Sequence, residues 1–118
     1  MKLLLTGHSN EMRRNCDHNS KQTELDLNPV DFKPVVKLFS PWGAMTWLIT
    51  EIKADGDTMF GLCDLGNGCP ELGYFSLREL LSIKGPYSLR IERDMHFEAS
   101  LTLQEYANEA RNTGRLMV

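Results

Sequence analysis

The chain has 118 residues, of which 42% are hydrophobic and 25% charged, and its formal net charge at pH 7 is -3. A chain of this size can bury a core as one domain without disulfides, which excludes large multidomain enzymes, fibres and wholly disordered tails. The acidic balance, with no basic cluster beyond Arg13 and Arg14, also disfavours a domain that grips nucleic acid through its phosphates.

The first quarter of the chain is polar. Between residues 7 and 24 the apolar residues are Met12 and Cys16, four positions apart, which predicts a short helix over residues 10–17. Residues 18–28 are typical of an exposed loop. We therefore expect a polar N-terminal arm with a short helix.

Residues 35–65 carry the pattern of a three-stranded meander. Strand-like segments at 34–39, 44–51 and 58–65 are separated by turn residues, including the Asp-Gly pair at 55–56. Connections this short force neighbouring strands to pair antiparallel. Residues 71–75 suggest a short fourth strand.

Capping boxes mark two helices in the second half of the chain. Ser76 with Glu79 opens the first, and Thr102 with Glu105 opens the second. Between them, residues 87–98 alternate apolar and polar side chains, which predicts another strand.

The order of these elements defines the expected fold class. Strands cluster and helices fall between and after them, which predicts an α+β domain with an antiparallel sheet of four to five strands. A meander forms the core, and two to three helices pack on one face. We expect a single domain over residues 1–118, with residues 1–33 as the polar arm and residues 34–118 as the body.

The compartment follows from cysteine usage and apolar runs. Three cysteines, an odd and small number, suit a reducing environment better than a disulfide framework. The three leucines at residues 3–5 are too few for a signal peptide, and no run approaches the roughly 20 apolar residues of a membrane span. The expectation is a cytoplasmic protein that does not enter a membrane.

One stretch of the body is acidic and without cations. Residues 54–77 contain four carboxylates and no Lys or Arg, so the stretch either attracts a basic partner surface or forms a solvated hairpin. Trp42, in a turn, is expected to be exposed, and an exposed Trp is often an interface anchor. The candidate protein-binding residues are Trp42, Asp55, Asp57, Asp64 and Glu71.

A metal site is the alternative. Glu92, Asp94 and His96 alternate along the predicted strand, so they share one face, and two carboxylates with an imidazole can hold a divalent metal. An exposed polar strand face explains the same alternation. We expect no cofactor, with a divalent metal on these residues as the alternative, and assign no catalytic residue.

Seven blocks in the body carry a resemblance to a known family. They occupy residues 34–39, 46–48, 60–66, 68–74, 76–77, 79–80 and 91–97. In sequence and spacing they resemble a family of unknown function, the DUF family numbered 2958, whose members are small proteins of bacterial plasmids, integrative elements and phages. The resemblance implies a setting in mobile DNA and implies no reaction, cofactor or catalytic residue.

Three functional hypotheses follow. The first is a non-catalytic accessory protein of a mobile genetic element that binds a protein of the host or the element, with inhibition of a host defence such as CRISPR or restriction as a specific version. The second is a metal-dependent enzyme acting on nucleic acid through the candidate metal residues. The third is a nucleic-acid-binding replication or transfer factor, which the charge disfavours. The sequence indicates no oligomeric state.

Overall fold

A five-stranded antiparallel sheet forms the centre of the fold. The computed structural model describes residues 2–118. Its strands are β1 (Val36–Phe39), β2 (Thr46–Ile52), β3 (Thr58–Asp64), β4 (Glu71–Ser76) and β5 (Glu92–Arg93). They lie in the order β4-β3-β2-β1-β5, and every neighbouring pair is antiparallel. The predicted α+β class, the antiparallel sheet and its meander core are confirmed.

Within residues 2–118, three α-helices accompany the sheet. They are α1 (Thr6–Glu24), α2 (Leu77–Ser82) and α3 (Leu103–Thr113). Both predicted caps are present: the Ser76 side chain accepts from the Glu79 backbone, and Thr102 forms a reciprocal capping box with Glu105. None of the helices in residues 2–118 is both long enough and apolar enough to cross a membrane.

The helices cover both faces of the sheet, so the expectation of packing on one face is wrong. Trp47 and Ile49 of β2 lie in one core with Met12 of α1. Leu48, between them in sequence, lies in a second core with Leu103 of α3. Successive residues of a strand point to opposite faces, and β2 is apolar on both parities. A strand of that composition requires cover on both sides.

Helix α1 is longer than the sequence predicts and runs through most of the expected loop at residues 18–28. One of its polar side chains, that of Asn15, hydrogen-bonds the backbone of β2 beyond the residues of β2 that pair with β1. The Asn15 amide donates to the Thr50 carbonyl at 3.0 Å, and Met12 is fully buried. Tertiary contacts therefore hold a helix whose own sequence is a weak helix former.

The predicted strand over residues 87–98 is largely absent. Only Glu92 and Arg93 form β5, which pairs with Leu38 and Phe39 of β1. A turn precedes this pair of residues and another follows it. Apolar and polar residues do alternate in this part of the sequence, but β1 is only four residues long and offers few positions for pairing.

Candidate protein-binding surface

A closed loop over residues 84–90 projects from the end of α2. Lys84 and Arg90 form an antiparallel bridge at its base. The Gly85 amide donates to the Leu89 carbonyl at 2.8 Å, and the Leu89 amide donates to the Pro86 carbonyl at 3.1 Å. These hydrogen bonds close the loop into a single turn with Pro86–Ser88 at its tip.

The tip holds Tyr87 in an unusual backbone conformation. Tyr87 has φ 55° and ψ 32°, and Ser88 has φ 61°. Residues other than glycine rarely adopt this left-handed region, which costs on the order of 1 kcal/mol or more per residue. Tyr87 is also 96% exposed, so its side chain adds almost nothing to the core. Strain that presents an aromatic side chain to solvent is characteristic of binding loops.

Trp42 lies beneath this loop. Its indole packs directly against Gly85, where any Cβ would overlap the ring. Trp42 is half-buried and packs against the core on the α1 side of the sheet. The expectation that Trp42 is itself exposed is wrong, because the lack of a side chain at Gly85 lets the loop rest on the ring. Trp42 supports the loop that displays Tyr87.

Two cations and an apolar side chain lie at the base of the loop that carries Tyr87. Lys84 and Arg90 are exposed, and neither joins either of the ion pairs found within residues 2–118. The Arg90 guanidinium donates to the Leu81 carbonyl at 3.3 Å, and the exposed Leu81 lines a groove together with Arg90. We call these four residues, Leu81, Lys84, Tyr87 and Arg90, the Tyr87 surface. It carries one aromatic ring and two cations, and the acid Glu92 lines the same groove as Leu81 and Arg90.

The acidic stretch at residues 54–77 has a different role, as Asp55 shows. Its carboxylate accepts hydrogen bonds from the amides of Asp57 and Thr58, both at 2.8 Å, and from the Thr58 hydroxyl at 2.7 Å. These bonds, led by the Thr58 hydroxyl, lower the pKa of Asp55 to about 2. Asp55 therefore shapes the turn between β2 and β3.

Asp57 links that turn to α2. Its carboxylate accepts from the Arg78 amide and from the Ser76 hydroxyl, both at 2.8 Å. Its carbonyl accepts from the Leu77 amide at 2.9 Å. The same contacts, with the Arg78 amide first, lower the pKa of Asp57. The carboxylate satisfies a helix amide that would otherwise lack a partner.

Asp64 and Glu71 complete the set of four acids. Asp64 is 3% exposed, and its two oxygens accept from the amides of Gly66 and Leu116, each at 2.8 Å. It thereby fixes the C-terminal tail to the sheet. Glu71 is exposed on β4. Three of the four acids are thus engaged in local or tertiary contacts, and the structure does not assemble them into a docking patch.

The candidate metal residues do not converge. Asp94 lies in the turn after β5, where its carboxylate accepts from the His96 amide at 2.9 Å and lies 3.5 Å from the Lys37 ammonium. The strand ends at Arg93, so the alternation that would align Glu92, Asp94 and His96 stops. In the described residues, 2 to 118, no three His, Cys, Asp or Glu side chains are placed to hold a metal ion.

Cys63 is the most perturbed thiol. Burial, followed by the charge of Asp64, raises the pKa of Cys63 to about 11. A protonated, half-buried thiol is a poor nucleophile. Cys63 packs against the core on the α1 side of the sheet, while Cys69 is exposed in the loop before β4.

Tyr87 is the residue that the sequence did not single out. The pattern placed it at the start of a strand because its neighbours alternate. The available signal was Gly85-Pro86, a pair typical of turns, but no local pattern predicts left-handed backbone at a tyrosine. The contact between Gly85 and Trp42, 43 positions apart in the chain, is equally invisible to local patterns.

The fold and this surface define an α+β domain that displays a loop closed by its own hydrogen bonds. The model of the family described as "Protein of unknown function (DUF2958)" matches residues 3–117, and the chain belongs to that family. The match includes α1 and the C-terminal tail, so the polar N-terminal segment lies within the family domain. No curated protein and no solved structure matches the chain.

Proposed function

We propose that this protein acts by binding another protein, without catalysis, through the Tyr87 surface. The observation that carries the proposal is the tyrosine at the loop tip, 96% exposed and held in left-handed backbone. Tyrosine is enriched at the energetic centres of interfaces, since it buries a large area at low entropic cost. A loop closed by its own hydrogen bonds loses little further freedom on binding.

The charges around Tyr87 specify the chemistry of the partner. Two exposed cations, Lys84 and Arg90, stand on opposite sides of the loop base. A partner with an apolar pocket and an acidic rim complements this arrangement. The acidic stretch suggested a basic partner, whereas the Tyr87 surface calls for an acidic one. The Tyr87 surface is preferred because three of the four acids in that stretch are engaged in internal contacts.

The family resemblance suggests the biological setting in which this protein binds its partner. We place the chain as an accessory protein of a bacterial plasmid, integrative element or phage. Inhibition of a host defence system such as CRISPR or restriction is its specific version. A small domain with a preformed binding loop and a formal net charge of -3 suits antagonism by direct contact better than binding to nucleic acid.

Affinity capture from a bacterial host lysate tests the proposal through variants. We expect the wild-type chain to retain a partner that Tyr87→Ala loses by at least tenfold, because truncation of an aromatic anchor commonly costs about 2 kcal/mol or more. Met95→Ala is the control, since Met95 is 68% exposed and lies after β5, outside the Tyr87 surface. Equal retention by the wild type and Tyr87→Ala would refute the proposed surface.

A further inference from the structure

A cleft lies between the C-terminal half of α1 and the β2–β4 part of the sheet. Its volume is about 320 Å³, and none of its lining residues belongs to the Tyr87 surface. Its wall contains one acid, one base, two hydroxyls from α1 and two aromatic rings: Glu51, Lys53, Ser20, Thr23, Phe60 and Tyr74. We call it the α1 cleft.

The acid of the cleft is held in place. One oxygen of the half-buried Glu51 carboxylate accepts from the Asn19 amide at 3.2 Å. Asn19 is itself 7% exposed and bonds the Val30 backbone at both ends of its side chain, at 2.7 and 3.1 Å. Burial raises the pKa of Glu51, and the hydrogen bond from Asn19 offsets only part of that rise. The other oxygen makes no hydrogen bond within residues 2–118 and remains an acceptor.

The base of the cleft lies beside its aromatic wall. The Lys53 ammonium is 4.7 Å from the ring centroid of Tyr74, which in turn lies 5.1 Å from that of Phe60. Lys53 is two residues beyond Glu51, which corresponds to a Cα spacing of roughly 7 Å along extended backbone. No ion pair joins Glu51 to Lys53, since the pairs within residues 2–118 involve other residues.

We propose that the α1 cleft binds a small zwitterion, a free α-amino acid with an apolar or aromatic side chain. The ligand's ammonium pairs with Glu51, its carboxylate pairs with Lys53, and its side chain packs against Phe60 and Tyr74. The cleft offers a negative charge on Glu51 and a positive charge on Lys53, and no ion pair joins them. This pair of charges matches a ligand that carries both signs. A volume of about 320 Å³ suits a ligand of this size.

A mononucleotide is the competing ligand, with its base on the aromatic wall and its phosphate on Lys53. The cleft lining holds a single cation, which leaves the second negative charge of a phosphate monoester unmatched. The half-buried Glu51 would add repulsion toward that charge. The charge balance therefore favours the zwitterion.

Titration calorimetry with L-phenylalanine as the probe tests this assignment on the full chain. We expect saturable binding that Glu51→Gln and Lys53→Met each weaken at least tenfold. The matched controls Glu98→Gln and Lys33→Met change exposed residues outside the cleft and retain wild-type affinity. Phenethylamine, which lacks the carboxylate, and 3-phenylpropionate, which lacks the ammonium, are expected to bind at least tenfold more weakly.

Three results would overturn the proposal. They are the absence of saturable binding across a panel of free amino acids, tighter binding of adenosine monophosphate than of L-phenylalanine, and affinities unchanged by both cleft variants. Lys53 is exposed, so Lys53→Met is expected to fold normally and keeps the test decisive if Glu51→Gln unfolds the chain.

Discussion

At Gly61, the backbones of β2 and β3 approach so closely that a side chain has no room. Any Cβ there would overlap the Leu48 carbonyl oxygen. Its cross-strand partner on β4, Gly73, has open space around the same position. The two glycines face each other in the sheet but are under different constraints, because only Gly61 lies against a neighbouring backbone.

This contrast predicts different costs for the same substitution. We expect Gly61→Ala to lower the free energy of unfolding by at least about 2 kcal/mol, since the overlap is with backbone that must shift. Gly73→Ala is expected to change it by less than about 1 kcal/mol. Urea unfolding of both variants measures the difference, and similar losses would contradict the close approach.

The carboxylates of the β2–β3 turn predict a pH dependence of stability. The folded pKa of Asp55 is about 2, and that of Asp57 is also lowered. A carboxyl whose folded pKa lies below its unfolded value stabilises the fold above the unfolded pKa of about 4 and loses that contribution as the pH falls. Part of the stability should therefore disappear between about pH 4 and pH 2.

Thermal melting against pH checks this expectation. The wild-type midpoint should fall between about pH 4 and pH 2, and the double variant Asp55→Asn with Asp57→Asn should show a shallower fall. The double variant starts from a lower midpoint at pH 7, because the amides accept weaker hydrogen bonds than the carboxylates. Parallel curves for the two proteins would show that other groups govern acid stability.

Individual elements show what local pattern reveals and what it does not. The N-cap at Ser76, the capping box at Thr102 and the β2–β3 turn were predictable, because they depend on residues within a few positions of each other. The length of α1 was not predictable, since Asn15 and Met12 stabilise it through contacts with the sheet. The strand predicted over residues 87–98 is limited to the two residues of β5, because it pairs only with the short strand β1.

At Tyr87, we expect the same substitution to increase the stability of the fold and to weaken binding of the partner. We expect Tyr87→Gly to raise the free energy of unfolding by up to about 1 kcal/mol, because glycine adopts a φ of 55° without steric cost. The same variant should lose the partner. Met95→Gly, at an exposed position without positive φ, is expected to lower stability by about 0.5 kcal/mol or more. Urea unfolding checks both, and a destabilised Tyr87→Gly would argue against backbone strain.

In the whole molecule, one sheet separates two hydrophobic cores. Because this arrangement depends on contacts between distant residues, the sequence alone predicts little of the Tyr87 surface. The α+β class followed from element order, whereas the cover on both faces depends on long-range packing. Candidate residues chosen by type and spacing were mostly structural: Asp57 caps α2 and Asp64 fixes the tail. The Tyr87 surface arises from a contact between distant residues, Trp42 and Gly85, which pattern alone does not reveal.

Site-specific photo-crosslinking in the bacterial host tests the central claim most directly, that Tyr87 contacts a protein partner. A photoreactive phenylalanine analogue replaces Tyr87 in one chain and Met95 in a control chain, both at exposed positions. We predict one dominant protein adduct at position 87 that is absent at position 95. Excess wild-type chain should suppress that adduct, and excess Tyr87→Ala should not. No light-dependent adduct at position 87, or the same adducts at both positions, would contradict the account.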